Sequence, residues 1–324
     1  MTLIDSEMIE FYKMFFKIRR TEENIAREYH FGEMRCPVHL SIGQESVSAA
    51  FSMTQKLSDI AVSTHRAHAH YLAKGGSLNK MIAEIYGKVT GCSRGRGGSM
   101  HLVDKEVGFI GSSAIVGNSI PVGVGYSLAK KLKNDNAVTY IFLGDGAVEE
   151  GSFYESVNFA VLKNLKIIFV CENNLYSVYT RLSERQPETR RITEMVKGLG
   201  VFTHYGDGSI PDVCLELFKN ARENCLISSV PQFIEFETYR WLEHCGPNSD
   251  EHLSYRPEKE LEFWKNKDQL DILRNKILEQ NLLSLAQITE IEQTIKSEIE
   301  FAFNQAKKDP FPSLEEILNS QYAI

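Results

Sequence analysis

Residues 139–178 read TYIFLGDGAVEEGSFYESVNFAVLKNLKIIFVCENNLYSV. Ala137–Leu143 is a short apolar run, partly β-branched, that stops at Gly144-Asp145-Gly146. That pattern predicts a strand entering a tight turn. Glu149–Asn164 carries Phe153, Val157, Phe159, Ala160, Val161 and Leu162 behind an acidic first turn, as an amphipathic helix with its macrodipole compensated does. Lys166–Cys171 predicts a second buried strand, ending at Glu172-Asn173-Asn174. The stretch is therefore a strand–helix–strand unit, with an acid at one strand end and an amide pair at the next. Twenty-six residues, Ala147 to Glu172, lie between the two motifs.

Ligands of open parallel sheets sit at the carboxyl ends of strands, beside a reversal of strand order. There Asp145 offers a carboxylate and Asn174 an amide oxygen. Mg²⁺ takes hard oxygen ligands, a few from the protein and the rest from phosphate or water. The pair suits a magnesium ion gripping a diphosphate, with Gly144 and Gly146 letting the backbone approach. Alone, Gly-Asp-Gly is an ordinary turn and Asn-Asn an ordinary solvated loop; the information lies in finding both, one crossover apart. A Rossmann dinucleotide site needs a third glycine at position 149, and Glu149 would face the pyrophosphate there.

Gly144-Asp145-Gly146 through Asn173-Asn174 resembles the thiamine diphosphate motif. The text between resembles the alpha subunits of the two-chain 2-oxo acid dehydrogenases, the pyruvate, branched-chain and acetoin enzymes among them. The resemblance covers most of residues 5–255. It implies a thiamine diphosphate-binding α/β fold with a mostly parallel central sheet and helices on both faces. It also implies that Asp145, Asn174 and the Tyr176 carbonyl hold Mg²⁺, and that Gly144, Gly146 and Ala147 lie along the diphosphate.

The 324 residues leave ample room for a core. We divide them into an α/β domain, 1–254, and a helical C-terminal extension, 255–324, packed on it or on a partner. Hydrophobic content of 43% and charged content of 24% suit a soluble globular chain, and a net charge of −7 gives no general attraction to nucleic acid or anionic membrane. No apolar run reaches 18 residues, and the N-terminus lacks signal-peptide pattern and is acidic for a transit peptide. Six cysteines without a Cys-x-x-Cys predict reduced thiols and a cytoplasmic protein.

Residues 5–30 predict a first helix, with Arg19, Arg20, Glu22 and Glu23 mostly on its wet face. Gln44-Glu45 opens a second helix through Phe51, resembling the family's Gly-Gln-Glu helix start. Asp59–Ser63 predicts a strand delivering Thr64-His65-Arg66-Ala67-His68-Ala69-His70. Three histidines could bind a metal, yet two of them point apart on a helix and no acid is near. They could be polar residues at a helix start, or part of a cofactor site. The family has Tyr-Arg-Ala-His here, which implies Arg66 on the diphosphate and His68 facing the reactive ring. Arginine suits phosphate because it stays charged and offers a planar fork. His65 replaces the tyrosine, and its imidazole N–H can donate instead.

Gly91–His101 holds four glycines and two arginines, a basic and flexible loop whose Gly-Gly-Ser-Met-His tail matches the family. There it closes over the active-site region. Ala114–Gly125 begins a helix running to about Lys133. The family's Gly-Ile-Val-Gly equivalent implies that Ala114 and Val116 support the cofactor's aminopyrimidine through their backbone. After the central unit, Arg181–Arg191 predicts a polar loop, and Val201–Tyr205 and Gln232–Thr238 predict strands. A second Gly-Asp-Gly at 206–208 has no amide pair downstream and reads as a turn into the next helix. The exit of the last strand, Tyr239-Arg240-Trp241-Leu242-Glu243-His244, resembles the family's Tyr-Arg-x-x-Gly-His-Ser. Its loop orders over the cofactor, so Arg240 and His244 carry over, His244 as a channel acid/base or orienting group with His68. Here Glu243 replaces the glycine, Cys245 the serine, Pro247 is inserted, and Asp250 lies two residues late.

The glutamate that activates the cofactor lies on the family's beta chain, so the resemblance implies a beta subunit partner, two alpha with two beta. A lipoyl acyltransferase would receive the acyl group taken from a 2-oxo acid. Two other readings remain: the same cofactor with a non-lipoyl acceptor such as a sugar or aldehyde, and a non-catalytic assembly subunit.

Overall fold

The computed structural model describes residues 3–319. Its eight strands are β1 (Ile60–Ser63), β2 (Phe109–Ser112), β3 (Thr139–Gly144), β4 (Ile167–Asn173), β5 (Tyr176–Ser177), β6 (Thr180–Arg181), β7 (Phe202–Asp207) and β8 (Gln232–Glu237). Six form one sheet in the order β2-β1-β3-β4-β8-β7, every pair parallel. The remaining two, β5 and β6, form a small antiparallel hairpin. From β1 the chain moves outward to β2, then returns to lay β3 on the other side of β1. That reversal puts a switch point between β1 and β3, where a crevice opens at the strand ends.

The continuous apolar runs of β3 and β4 reflect burial on both faces. Tyr140, Phe142, Ile168 and Val170 join one core; Ile141, Leu143, Ile167, Phe169 and Cys171 join the other. The long helices α1 (Asp5–Tyr29) and α2 (Glu45–Thr54) cover the first face. Between β1 and β2 lie α3 (His68–Ala73) and α4 (Leu78–Ile85). The helices α5 (Ser119–Leu132), α6 (Gly151–Leu162) and, after the single-turn α7 (Leu182–Arg185), α8 (Ile192–Lys197) supply apolar residues to the second face. On the first face α9 (Pro211–Ser228) joins α2 through Phe218 and Phe51, rings 6.1 Å apart.

The tail forms α10 (Glu260–Lys265), α11 (Gln269–Glu279), α12 (Leu285–Lys308) and α13 (Leu314–Asn319). Leu273 and Ile277 of α11 and Ile288, Ile295 and Phe303 of α12 belong to the same core as Phe11 and Phe15 of α1. Helix α10 instead reaches the site edge, where Trp264 stacks on Tyr239 at 5.7 Å. None of the six cysteines is paired. No helix among the described residues is long and apolar enough to cross a membrane.

Two expectations for α1 are corrected. Arg19 is 3% exposed and Glu22 fully buried, not on the wet face. Both fall on the apolar stripe, Glu22 four residues after Ile18 and Arg19 four after Phe15, so the helix carries them inward. They persist because each is paired. Arg19 meets Glu45 and donates to Asp268 Oδ2 at 2.9 Å. Glu22 accepts from the Ser41 backbone at 3.2 Å and meets the His68 imidazole.

The helix expected from Ala114 begins at Ser119, and the one expected from Glu149 begins at Gly151 after a 3₁₀ turn over Asp145–Glu149.

Candidate cofactor and metal cleft

A cleft opens at the switch point, over the carboxyl ends of β2, β1, β3 and β4. Of the residues singled out from sequence, it brings together His65, Arg66, Ala114, Val116, Gly144, Asp145, Gly146, Ala147, Asn174, Tyr176 and His244. It does not bring in His68 or Arg240. Its lining adds His39, Gln44, Ile115, Gly117, Glu172 and Ser177.

Asp145 is 2% exposed. Burial pushes its carboxyl above the usual range, and the Arg185 guanidinium beside it pulls the other way. Arg185 donates to Asp145 Oδ2 and, at 2.6 Å, to Glu149 Oε1. It stands on α7, within the segment expected to be a loop; the β5–β6 hairpin, closed by Leu182 N donating to Leu175 O at 2.8 Å, turns the chain back over β3. Asn174 Nδ2 points to Gln44 Oε1 at 3.5 Å, and its Oδ1 accepts from Tyr176 N at 3.3 Å.

The donor set fits a hard divalent cation: a carboxylate, an amide oxygen and a strand-end carbonyl on one rim. The glycines divide their work. A Cβ on Gly144 would meet nothing within 4 Å, so its backbone lies bare to the cleft; one on Gly146 would lie 2.7 Å from Ser177 Oγ, so that glycine seats the hairpin.

The Arg66 guanidinium is aimed by two carbonyls, Leu40 O at 2.5 Å and His244 O at 3.2 Å. Burial lowers its pKa to about 10, which still leaves it charged at neutral pH.

His39, His65 and His244 meet edge to face, with ring centroids 4.5–5.2 Å apart. Burial first, then neighbouring cations, pushes their pKa values to about 2, 4 and 3. All three are therefore neutral in the fold and take up protons near 6.5 only when unfolded. The unfolded chain binds more protons, so this stability is present above 6.5 and is lost as pH falls towards 4. For His39, the deepest of the three, the loss is about 2 kcal/mol at pH 5. Thermal melts across this window should show the decline, and His39→Gln should flatten it. An equal slope in the variant would refute the assignment.

His68 is fully buried, with Nδ1 3.0 Å from Glu22 Oε2 and Nε2 2.7 Å from Ser99 Oγ. It thus ties α1 to the glycine-rich loop rather than reaching the cleft. That loop wraps an internal anion. Glu84 of α4 accepts from Ser93 N and Gly95 N at 2.8 Å, Gly97 N at 2.7 Å and Gly98 N at 3.2 Å. Gly91 must lack a side chain because a Cβ would lie 2.3 Å from Glu84 Oε2.

Arg240 is 1% exposed. It donates to Val178 O at 2.6 Å, Leu242 O at 2.7 Å, Tyr255 Oη at 2.7 Å and Asp250 Oδ2 at 3.2 Å. Arg256 also reaches Asp250, at 3.0 Å. The late position of Asp250 therefore leaves this network closed. The extra residues are taken up in a local turn, where Glu243 and Asn248 bond at 2.8 and 3.0 Å.

Sequence reasoning missed His39, Arg185, and Glu84 as the loop's anion. It also misplaced Glu22, the buried partner of His68, although an acid on an apolar stripe is a legible signal.

Residues 13–315 match the sequence model of the family described as Dehydrogenase E1 component. The chain is 34% identical over 319 residues to the pyruvate dehydrogenase E1 component subunit alpha of Rickettsia bellii, covering 98% of this chain and 97% of that one. It is 32% identical over 324 residues to the mitochondrial alpha-1 subunit of that component from Oryza sativa subsp. japonica, covering 99% and 81%. It is 31% identical over 319 residues to the mitochondrial alpha-2 subunit from Arabidopsis thaliana, covering 98% and 79%.

Proposed function

Because this chain belongs to the dehydrogenase E1 component family, as an alpha subunit of the thiamine diphosphate-dependent 2-oxo acid dehydrogenases, we propose that it holds thiamine diphosphate through Mg²⁺ and, with a beta subunit, passes the acyl group of a 2-oxo acid to a lipoyl carrier. The observation that carries this reading is the opening of Asp145 and Asn174 onto one cleft at the sheet's switch point.

The cofactor supplies the electron sink for decarboxylation. The chain's own residues bind and orient. Asp145, the Asn174 amide oxygen and the Tyr176 carbonyl hold the metal. Arg66, held rigid by two carbonyls, grips the diphosphate, with His65 donating beside it. Gly144 and Ala147 lie along the diphosphate, and the backbone of Ala114 and Val116 supports the aminopyrimidine. His244, held neutral by burial and by the Arg66 charge, orients the substrate through its ring nitrogens rather than carrying a proton. His68 positions the glycine-rich loop through Ser99, and Arg240 holds the Val178 carbonyl and so the hairpin carrying Tyr176. Arg185 pairs with Asp145 and would have to yield that carboxylate for Mg²⁺ to be held there.

Pyruvate is the first 2-oxo acid to test, since the relatives are named for it. A non-lipoyl acceptor is the second reading, favoured by the remodelled Glu243–Asn248 turn. The chain purified gently from its native cells is expected to weigh as two alpha and two beta subunits, and to reduce added lipoylated carrier in a 2-oxo acid-dependent way. Decarboxylation without carrier reduction would favour the second acceptor class. A cofactor-loaded assembly of this chain alone would overturn the need for a beta subunit. No cofactor in the native assembly would favour a purely structural subunit.

A further inference from the structure

The Tyr176 carbonyl, assigned above to the metal, sits on a hairpin with little of its own to hold it. Strands β5 and β6 share two residue pairs, Tyr176 with Arg181 and Ser177 with Thr180. A two-stranded hairpin of that size is not stable by itself. Its backbone is also strained: Leu175, just before it, has φ +70°, and Val178, in its turn, has φ +55°. Left-handed backbone is unfavourable for a residue with a side chain, most of all a β-branched one, and persists only where the surroundings enforce it. We propose that Glu260, the first residue of α10, is a positioning residue for the metal site: it grips both strands of this hairpin from outside the cleft and so fixes where the Tyr176 carbonyl lies.

One carboxylate takes both members of a cross-strand pair. Glu260 Oε2 accepts from Tyr176 Oη at 2.6 Å, and Glu260 Oε1 accepts from Arg181 Nη2 at 3.1 Å. Tyr239, just past the end of β8, donates to the same Oε2 at 3.1 Å. Tyr176 is buried and packs with Tyr239, Leu261 and Trp264 in a core cluster separate from the two that flank the sheet. Burial, then the Glu260 carboxylate beside it, pushes the pKa of the Tyr176 hydroxyl up, so the hydroxyl stays a donor. On the cleft side Arg185 ties the same segment to Asp145 and Glu149, but that tie to Asp145 must yield when a metal enters. The Glu260 tie makes no such demand, so it holds the hairpin with or without the metal.

Glu260 is not among the residues that line the cleft, so its effect reaches the metal through Tyr176. The inference rests on the cofactor reading and extends it to the C-terminal helices, which would otherwise serve only to cover the core. A group that orients a metal ligand is worth about 10–100-fold in metal affinity. Arg240 would still hold the Val178 carbonyl at 2.6 Å after Glu260 is lost, which puts the expected effect at the lower end of that range.

The test uses the full chain in its native assembly, stripped with chelator and titrated with Mg²⁺ in the presence of thiamine diphosphate. Glu260→Ala should raise the Mg²⁺ Kd by about 10-fold. Tyr176→Phe keeps the carbonyl and loses the hydroxyl; it should do nearly the same, and it carries the test should Glu260→Ala not fold. The double variant should lose no more than Glu260→Ala alone, because both changes break one connection. Glu260→Gln keeps an oxygen for Tyr176 Oη and should recover most of the affinity. Tyr239→Phe removes a hydrogen bond from the same carboxylate without touching the hairpin, and should leave Mg²⁺ affinity unchanged. Without metal, hydrogen exchange at Leu182 N, which closes the hairpin onto Leu175 O, should quicken in Glu260→Ala. Unchanged Mg²⁺ affinity in Glu260→Ala would overturn the positioning role. So would additive losses in the double variant, or a loss in Tyr239→Phe as large as that in Tyr176→Phe. An unmutated assembly that binds no Mg²⁺ with thiamine diphosphate would instead overturn the cofactor reading, and the positioning role with it.

Discussion

Asp145→Ala is expected to abolish Mg²⁺-dependent binding of thiamine diphosphate, raising its Kd by at least ~100-fold. Loss of a group that merely orients a metal ligand already costs about 10–100-fold, and Asp145 would supply the only charged ligand of its set. The variant removes a buried carboxylate and leaves Arg185 and Glu149 paired at 2.6 Å, so the hairpin keeps one of its two ties. Titration followed by calorimetry, with and without Mg²⁺, reads the effect directly. Binding at the unmutated affinity would refute the assignment of the metal site. Arg185→Ala is the companion. It removes the cation that competes for Asp145, so Mg²⁺ affinity should rise while cofactor-independent stability falls slightly. A fall in Mg²⁺ affinity would show that Arg185 builds the site rather than guarding it.

Glu84→Ala should destabilise the fold by about 3–5 kcal/mol. Its carboxylate is the acceptor for four backbone donors of the 93–98 segment. Each donor left without a partner costs about 1–3 kcal/mol if it stays buried. The segment will open to water instead of bearing the full sum. For a chain of this length the loss corresponds to a melting shift of roughly 5–8 °C. Opening also frees Arg94 and Arg96, both exposed at the loop's outer edge, for trypsin. Faster cleavage there, with the rest of the chain intact, is the specific signature. Glu84→Gln keeps one oxygen acceptor and should lose less. An Ala variant with unchanged melting and proteolysis would mean that water replaces the carboxylate without loss.

The central unit was legible in the sequence because its signals are local. The uninterrupted apolar runs of β3 and β4 follow from burial on both faces of a parallel sheet, and the acid and amide that end them mark the sheet's carboxyl edge. The helix stripes of α1 and α12 are equally local. The edge strand β2 was not legible: Phe-Ile-Gly-Ser is too short for periodicity and contains a glycine, and it becomes a strand only by pairing with β1. Helix α4 escaped notice, and with it the meaning of the glycine-rich loop, whose basic composition suggested an anion without revealing that Glu84 is that anion.

The central strand–helix–strand unit, and the acid and amide that end its strands, were written in the chain itself, through side-chain chemistry and periodicity of a few residues. Which residues of distant segments meet was decided only by the tertiary structure. His65, His68 and His70 are neighbours in the sequence, but the turn out of β1 into α3 parts them. His68 goes under the glycine-rich loop, His70 stacks on Phe142 at 3.8 Å, and His65 joins His39 and His244. Arg185 reaches Asp145 across 40 residues for the same reason. A contact between distant segments depends on how the sheet orders its strands and where the loops are pinned, and no short window of sequence contains that information.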